Sequence, residues 1–183
     1  MRSIAGSMAV ILAALGMASS TFAADCKSLI KGMDAYERDM KDALNDEPED
    51  LPKELRRFKK ALASGDTAQA DRIQHKIRRA PGSLRSKKAP PALRTLHADM
   101  IEYYEAGVAV LDATSRDDED ARRAAEIETW IGLRKYFTNI RDVFVEFRCN
   151  EGDVEAIEAN YFPMLDAEID ALRSAVAAPE SPR

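Results

Sequence analysis

Histidine is almost missing from this chain: His75 and His97 are the only two in 183 residues. Metal centres, haem sites and acid–base pairs draw heavily on histidine, so its scarcity narrows the chemistry at once. No His-Glu-x-x-His occurs, which removes the zincin pattern. Neither histidine has a glutamate three residues before it, so the di-iron bundle motif is missing. There is no Cys-x-x-Cys-His for covalent haem and no glycine-rich phosphate loop. Ser28-Leu29-Ile30-Lys31 spells Ser-x-x-Lys but lacks the companion motifs of β-lactam-type acyl transfer. On this reading the chain is not an enzyme, and no catalytic residue, metal or cofactor is assigned to it.

Glycine and proline are sparse, at eight each. Alanine, leucine and charged residues with good helix propensity dominate instead. Period-two alternation is sustained nowhere, which argues against strands. Long apolar runs are also lacking. The main one, Met8 to Met17, is too short for a membrane span and has no stop-transfer flank. With Arg2 before it and Thr21-Phe22-Ala23 after it, it reads as a signal peptide over residues 1–23, cleaved near Ala23. Asp25 stands directly before Cys26, where lipid-modification signals carry a small residue, so a lipid anchor is not expected. The short, alanine-rich leader has a bacterial character. The expected location is the periplasm or the medium, with no transmembrane anchor in the mature chain.

Only Cys26 and Cys149 are available for a disulfide, and both survive cleavage. An even pair in an oxidising compartment implies one bridge. A redox or metal role for the pair lacks both a Cys-x-x-Cys and a neighbouring histidine.

Apolar stripes at helical spacing then account for the chain from 24 to 178, with 179–183 as a disordered tail. The first helix carries Cys26, Leu29, Met33, Tyr36, Met40 and Ala43, and Asn45 to Pro48 ends it. Leu51, Leu55, Phe58 and Leu62 mark the second, closed by Gly65. Asp66 or Thr67 caps a third, with Ala70, Ile73, Ile77 and Ala80, which Pro81-Gly82 should stop. Residues 81–91 read as an outer basic loop. A fourth helix carries Leu93, His97, Met100, Tyr104, Gly107 and Leu111, with Leu96, Ile101 and Val108 widening its face. After a turn and cap at Ser115 to Asp118, the fifth carries Trp130, Leu133, Phe137, Ile140, Phe144 and Phe147, with Ile127, Tyr136 and Val143 at its edges. Asn150 to Gly152 should break it. Asp153 should cap a last helix whose Pro163 predicts a kink near Asn160. The expected fold is all-α: an antiparallel bundle of about five to six helices around one core, with one disulfide. Cys26 at the start of the first helix and Cys149 at the end of the fifth meet in such a bundle.

Two features suggest binding. His97 lies on an apolar face near Met100, with Met33 and Met40 on the first helix. Histidine and methionine on facing helices can ligate haem iron, and the arrangement resembles the b-type and c′-type cytochrome bundles in shape. The b-type bundle holds its ligand histidine on the terminal helix, and the last helix here has none. The resemblance implies a haem- or metal-binding bundle using His97 with Met33 or Met100. The competing reading is a core histidine bonded to a neighbour, with methionines filling space. His75 falls on a polar face and should be exposed.

Charge is the second feature. From Lys53 to Arg94 there are thirteen basic and three acidic residues, in a chain whose net charge is −5. This asymmetry suggests an anion-binding patch of Arg78, Arg79, Arg85, Lys87 and Lys88, facing lipid headgroups, lipopolysaccharide or an acidic envelope protein. Nucleic acid is not expected, because no exposed aromatics interleave with the basic run. The competing reading is internal charge balance against the acidic remainder of the bundle. The expected function is that of an exported, non-enzymatic helical bundle of the bacterial envelope that binds a partner or an anionic ligand.

Overall fold

The computed structural model describes residues 22–44, 51–149 and 151–177. The leader up to residue 21, the segment 45–50, residue 150 and the tail from 178 lie outside the described residues, and so do the expectations that fall on them. Helix α1 spans Phe22–Leu44, α2 Leu51–Ala63, α3 Thr67–Arg85, α4 Arg94–Ser115 and α5 Glu119–Glu146. A 3-10 turn, Pro91–Leu93, leads into α4. Helix α6, Glu151–Ala156, runs through a π-helical turn, Ile157–Tyr161, into α7, Phe162–Ala177. Counting that continuous element once gives six helices, with no strand among the described residues.

The helices pack in order. α3 lies against α4, α4 against α5, and α5 against α7. α2 rests on α3 and α4, while α1 rests mainly on α3. One cluster of buried side chains runs through the whole stack, from Leu29 on α1 to Leu165 on α7. α4 and α5 are antiparallel and close. A Cβ built on Gly132 would lie 3.2 Å from the Cα of Tyr103, a tight approach to backbone that glycine relieves.

The turns follow local chemistry. Gly65 takes φ 73°, the left-handed conformation that closes α2. Asp66 is the cap of α3, accepting from the Gln69 N–H at 3.0 Å. Asp118 caps α5 in the same way through Ala121, also at 3.0 Å. Glu119 and Asp120 occupy the first turn of α5, where the helix dipole favours them.

Several boundaries differ from the sequence pattern. α3 does not stop at Pro81; it continues to Arg85, so only Ser86 to Pro90 remain as connector before the 3-10 turn. An interior proline costs a helix about 3 kcal/mol. Leu84 offsets it: it extends the stripe of Ile73, Ile77 and Ala80 and is fully buried, a contribution of roughly 1.5–3 kcal/mol. Pro81 is itself buried, which adds to the balance.

On α2, Leu62 is 43% exposed and Ala61 takes the core position, because Leu62 falls in the last turn beside the Gly65 reversal. On α5 the core face is shifted: Ala125, Thr129 and Tyr136 are buried, and Trp130 and Phe147 are half-buried. The break after α5 comes at Phe147 to Cys149, where Arg148 has φ 51°, and Gly152 is already inside α6. Asp153 lies in the first turn of α6 rather than at its cap. The kink expected near Asn160 takes the form of the π turn. It ends one residue before Phe162-Pro163, so the widened turn precedes the proline and the helix carries on.

Cys26 and Cys149 form the disulfide, with Cα atoms 5.5 Å apart. It joins the first turns of α1 to the α5–α6 junction, although the body of α1 packs along α3. Among the described residues no helix is long and apolar enough to cross a membrane.

Candidate functional site

His97 stands in the first turn of α4, half-buried, facing α1. Its Nδ1 shares a 2.9 Å hydrogen bond with the hydroxyl of Tyr36, and the two rings meet edge to face. Burial holds the imidazole below its usual pKa, and a hydrogen bond to the backbone of Leu84 acts against that shift. Burial alone raises the phenol of Tyr36. A neutral imidazole accepting from a phenol that keeps its proton suits both shifts.

Met100 is closed in the core at 1% exposure, and Met33 is half-buried at the edge. His97 thus meets Tyr36 and Leu84, the arrangement of a core histidine bonded to its neighbours. Among the described residues there is no group of three or more His, Cys, Asp or Glu placed to hold a metal ion. A crevice lined by Leu44, Leu51, Glu54, Lys76, Ile77, Ala80 and Tyr104 has a volume of about 10 Å³, which is room for about one water molecule.

A second polar cluster lies between α4 and α5. Asp99 is buried at 3% exposure, paired with Lys135 and accepting a hydrogen bond from Asn139. Hydrogen bonds from Lys135 to Asp99 first and Glu102 second raise the pKa of that lysine. Every member has a partner, so the cluster registers the two helices.

Part of the basic hairpin is held in ion pairs. Arg78 pairs with Asp112 and Arg85 with Glu105, both on α4, while Lys59 pairs with Glu126 on α5. Arg57 bonds Glu54 at 2.7 Å. Exposure does not follow this pairing, because Arg57, Arg78 and Arg85 are exposed as well. On α2 the buried positions Leu51, Leu55, Phe58 and Ala61 leave Lys53, Arg56, Arg57 and Lys60 on the opposite side, all exposed. The only acid of α2, Glu54, is buried. On α3, Arg72, His75 and Arg79 follow one another at steps of three and four along the outer face. No ion pair holds Arg56, Lys60, Arg72 or Arg79 among the described residues.

Of the five cations read as a patch from sequence, Arg78 and Arg85 are therefore engaged within the bundle. Arg79 and Lys88 are exposed and Lys87 is half-buried. Arg56, Lys60 and Arg72 sit among the thirteen basic residues of the segment. The signal that picks them out is their spacing opposite the apolar stripe, not their density in sequence.

The rest of the stack has the other sign. From Glu151 to Ala177, α6 and α7 carry seven acidic residues and one basic, Arg173. The basic hairpin packs against α4, and the acidic last helix packs against α5. No family model, curated protein or solved structure matches this chain.

Proposed function

We propose that the protein is exported to the cell envelope and acts there by binding an anionic partner through the outer face of the α2–α3 hairpin, without catalysing a reaction. The observation that carries this reading is the group of four exposed cations, Arg56, Lys60, Arg72 and Arg79, left without ion-pair partners among the described residues while neighbouring cations are paired. Like charges left without partners among the described residues repel each other and favour a counter-ion surface. The leader-like start and the disulfide both suit an oxidising compartment.

A photo-crosslinking residue placed at Lys60, and separately at Asp170 on α7, tests this in living cells. Both positions are exposed. The reading expects a specific adduct from position 60 and none from position 170. Adducts from 170 alone would overturn it.

A further inference from the structure

The order of layers says more than that an anion binds. Charge is separated between elements: the basic hairpin packs on α4 and α1, while the acidic α6–α7 packs on α5. α2 and α3 from Leu51 to Arg85 hold ten basic and three acidic residues, against one basic and seven acidic on α6–α7. The crevice beside α2 has room for about one water molecule. The four outward cations instead lie on two adjacent helices whose outer faces carry almost no apolar side chain. Such a surface meets a broad, flat array of phosphates without inserting.

We infer that the protein lies on an anionic lipid surface in one orientation, with the α2–α3 outer face against the phosphate headgroups and the acidic α6–α7 layer held away. This rests on the reading above and deepens it. Attraction acts on the hairpin and repulsion on α6–α7, so both ends of the molecule favour the same orientation. Salt screens the two together, because the Debye length at physiological ionic strength is about 8 Å. The acidic layer is then left facing solvent.

The test uses purified protein with phosphatidylcholine vesicles, with and without phosphatidylglycerol. Only phosphatidylglycerol-dependent binding counts, because an uncleaved apolar leader would bind neutral vesicles as well. Binding is expected at low salt and should be lost as salt rises. A variant with Arg56, Lys60, Arg72 and Arg79 changed to Gln should bind at least about tenfold more weakly, since each cation near the surface contributes about fivefold. A variant with Lys27, Lys31, Arg116 and Arg173 changed to Gln loses the same charge elsewhere and should bind within about twofold of the parent. Equal loss in both variants would overturn the assignment of the face.

Orientation is read with a fluorophore on a single added thiol, since both native cysteines are in the disulfide. Ala63→Cys at the end of α2 should be quenched by a headgroup-borne quencher, and Ala167→Cys on α7 should not. Equal quenching, or the reverse, would overturn the orientation. Soluble polyphosphate provides the remaining arm. If it binds through the four cations while anionic vesicles do not, the membrane inference is wrong and the anion-binding reading survives. If neither binds, both fall.

Discussion

Tyr36 and His97, on helices α1 and α4, share a 2.9 Å hydrogen bond across sixty-one residues of sequence. Tyr36 is buried and His97 half-buried. The bond fixes how α1 lies over the junction where α3 ends and α4 begins. Tyr36→Phe keeps the ring and removes the hydroxyl, which leaves the imidazole nitrogen without this partner. The expected loss is about 1 kcal/mol in chemical denaturation. No change would show that water serves the histidine equally well.

The same pair sets a pH dependence. His97 is held below its ordinary value of 6.5 in the fold, while the unfolded chain titrates near that value. The unfolded chain therefore takes up the proton first. Stability from this group is complete above about pH 6.5, falls as pH drops below it, and levels off once the folded His97 also protonates. His97→Gln should flatten that window. Glu119, held down to about 2 by a hydrogen bond from Arg122 first and by Arg123 as well, responds at lower pH and leaves the window clear. An unchanged slope between pH 5 and 6.5 in His97→Gln would assign the effect elsewhere.

The disulfide closes a sequence separation of 123 residues, for which the chain-entropy model gives about 5 kcal/mol of stabilisation. Protein recovered from the periplasm should begin at Ala24 and show no thiol after denaturation. Reduction should lower the unfolding midpoint and leave most of the helical signal, because the core cluster extends from Leu29 to Leu165, far beyond the bridge. Two reactive thiols in native material would contradict the assignment.

The continuation of α3 past Pro81 has its own test. Gly82 is exposed inside that helix, with nothing within 4 Å of a built Cβ. Gly82→Ala should raise stability by about 0.5–1 kcal/mol, as for an exposed helical glycine. Gly132→Val should lower it by about 1–3 kcal/mol, because its side chain meets the Tyr103 backbone. A neutral or harmful Gly82→Ala would favour a loop from residue 81.

On α5, Phe137 and Tyr136 are both buried and their rings meet edge to face. Alanine at either should cost about 3–5 kcal/mol. Val145→Ala, at a side chain 56% exposed, should stay within about 0.5 kcal/mol. A small effect at Tyr136 alone would return the core face to the position that the Trp130-to-Phe147 stripe suggests.

The all-helical bundle and its disulfide were legible because stripes such as Leu29, Tyr36 and Met40 on α1, or Ile73, Ile77 and Ala80 on α3, repeat at helical spacing over several turns. What sequence hid was tertiary. Pro81 looks like a stop until Leu84 is seen to be fully buried beyond it. Leu62 looks like core until the Gly65 reversal leaves it at the end of the hairpin. Density of charge pointed to Arg78 and Arg85, whose acidic partners on α4 are 34 and 20 residues away. No local pattern announces such pairs. Tyr36 was visible as a stripe residue but not as the partner of His97, because contact between α1 and α4 depends on how both pack around α3.

Retention on phosphocellulose at pH 7 across a salt series shows whether the α2–α3 face of this acidic protein behaves as a polycation. The parent should be retained at low salt despite its net charge of −5 and elute as salt rises. The variant with Arg56, Lys60, Arg72 and Arg79 changed to Gln should flow through, with an unchanged helical signal. Flow-through of the parent at every salt concentration would contradict the account.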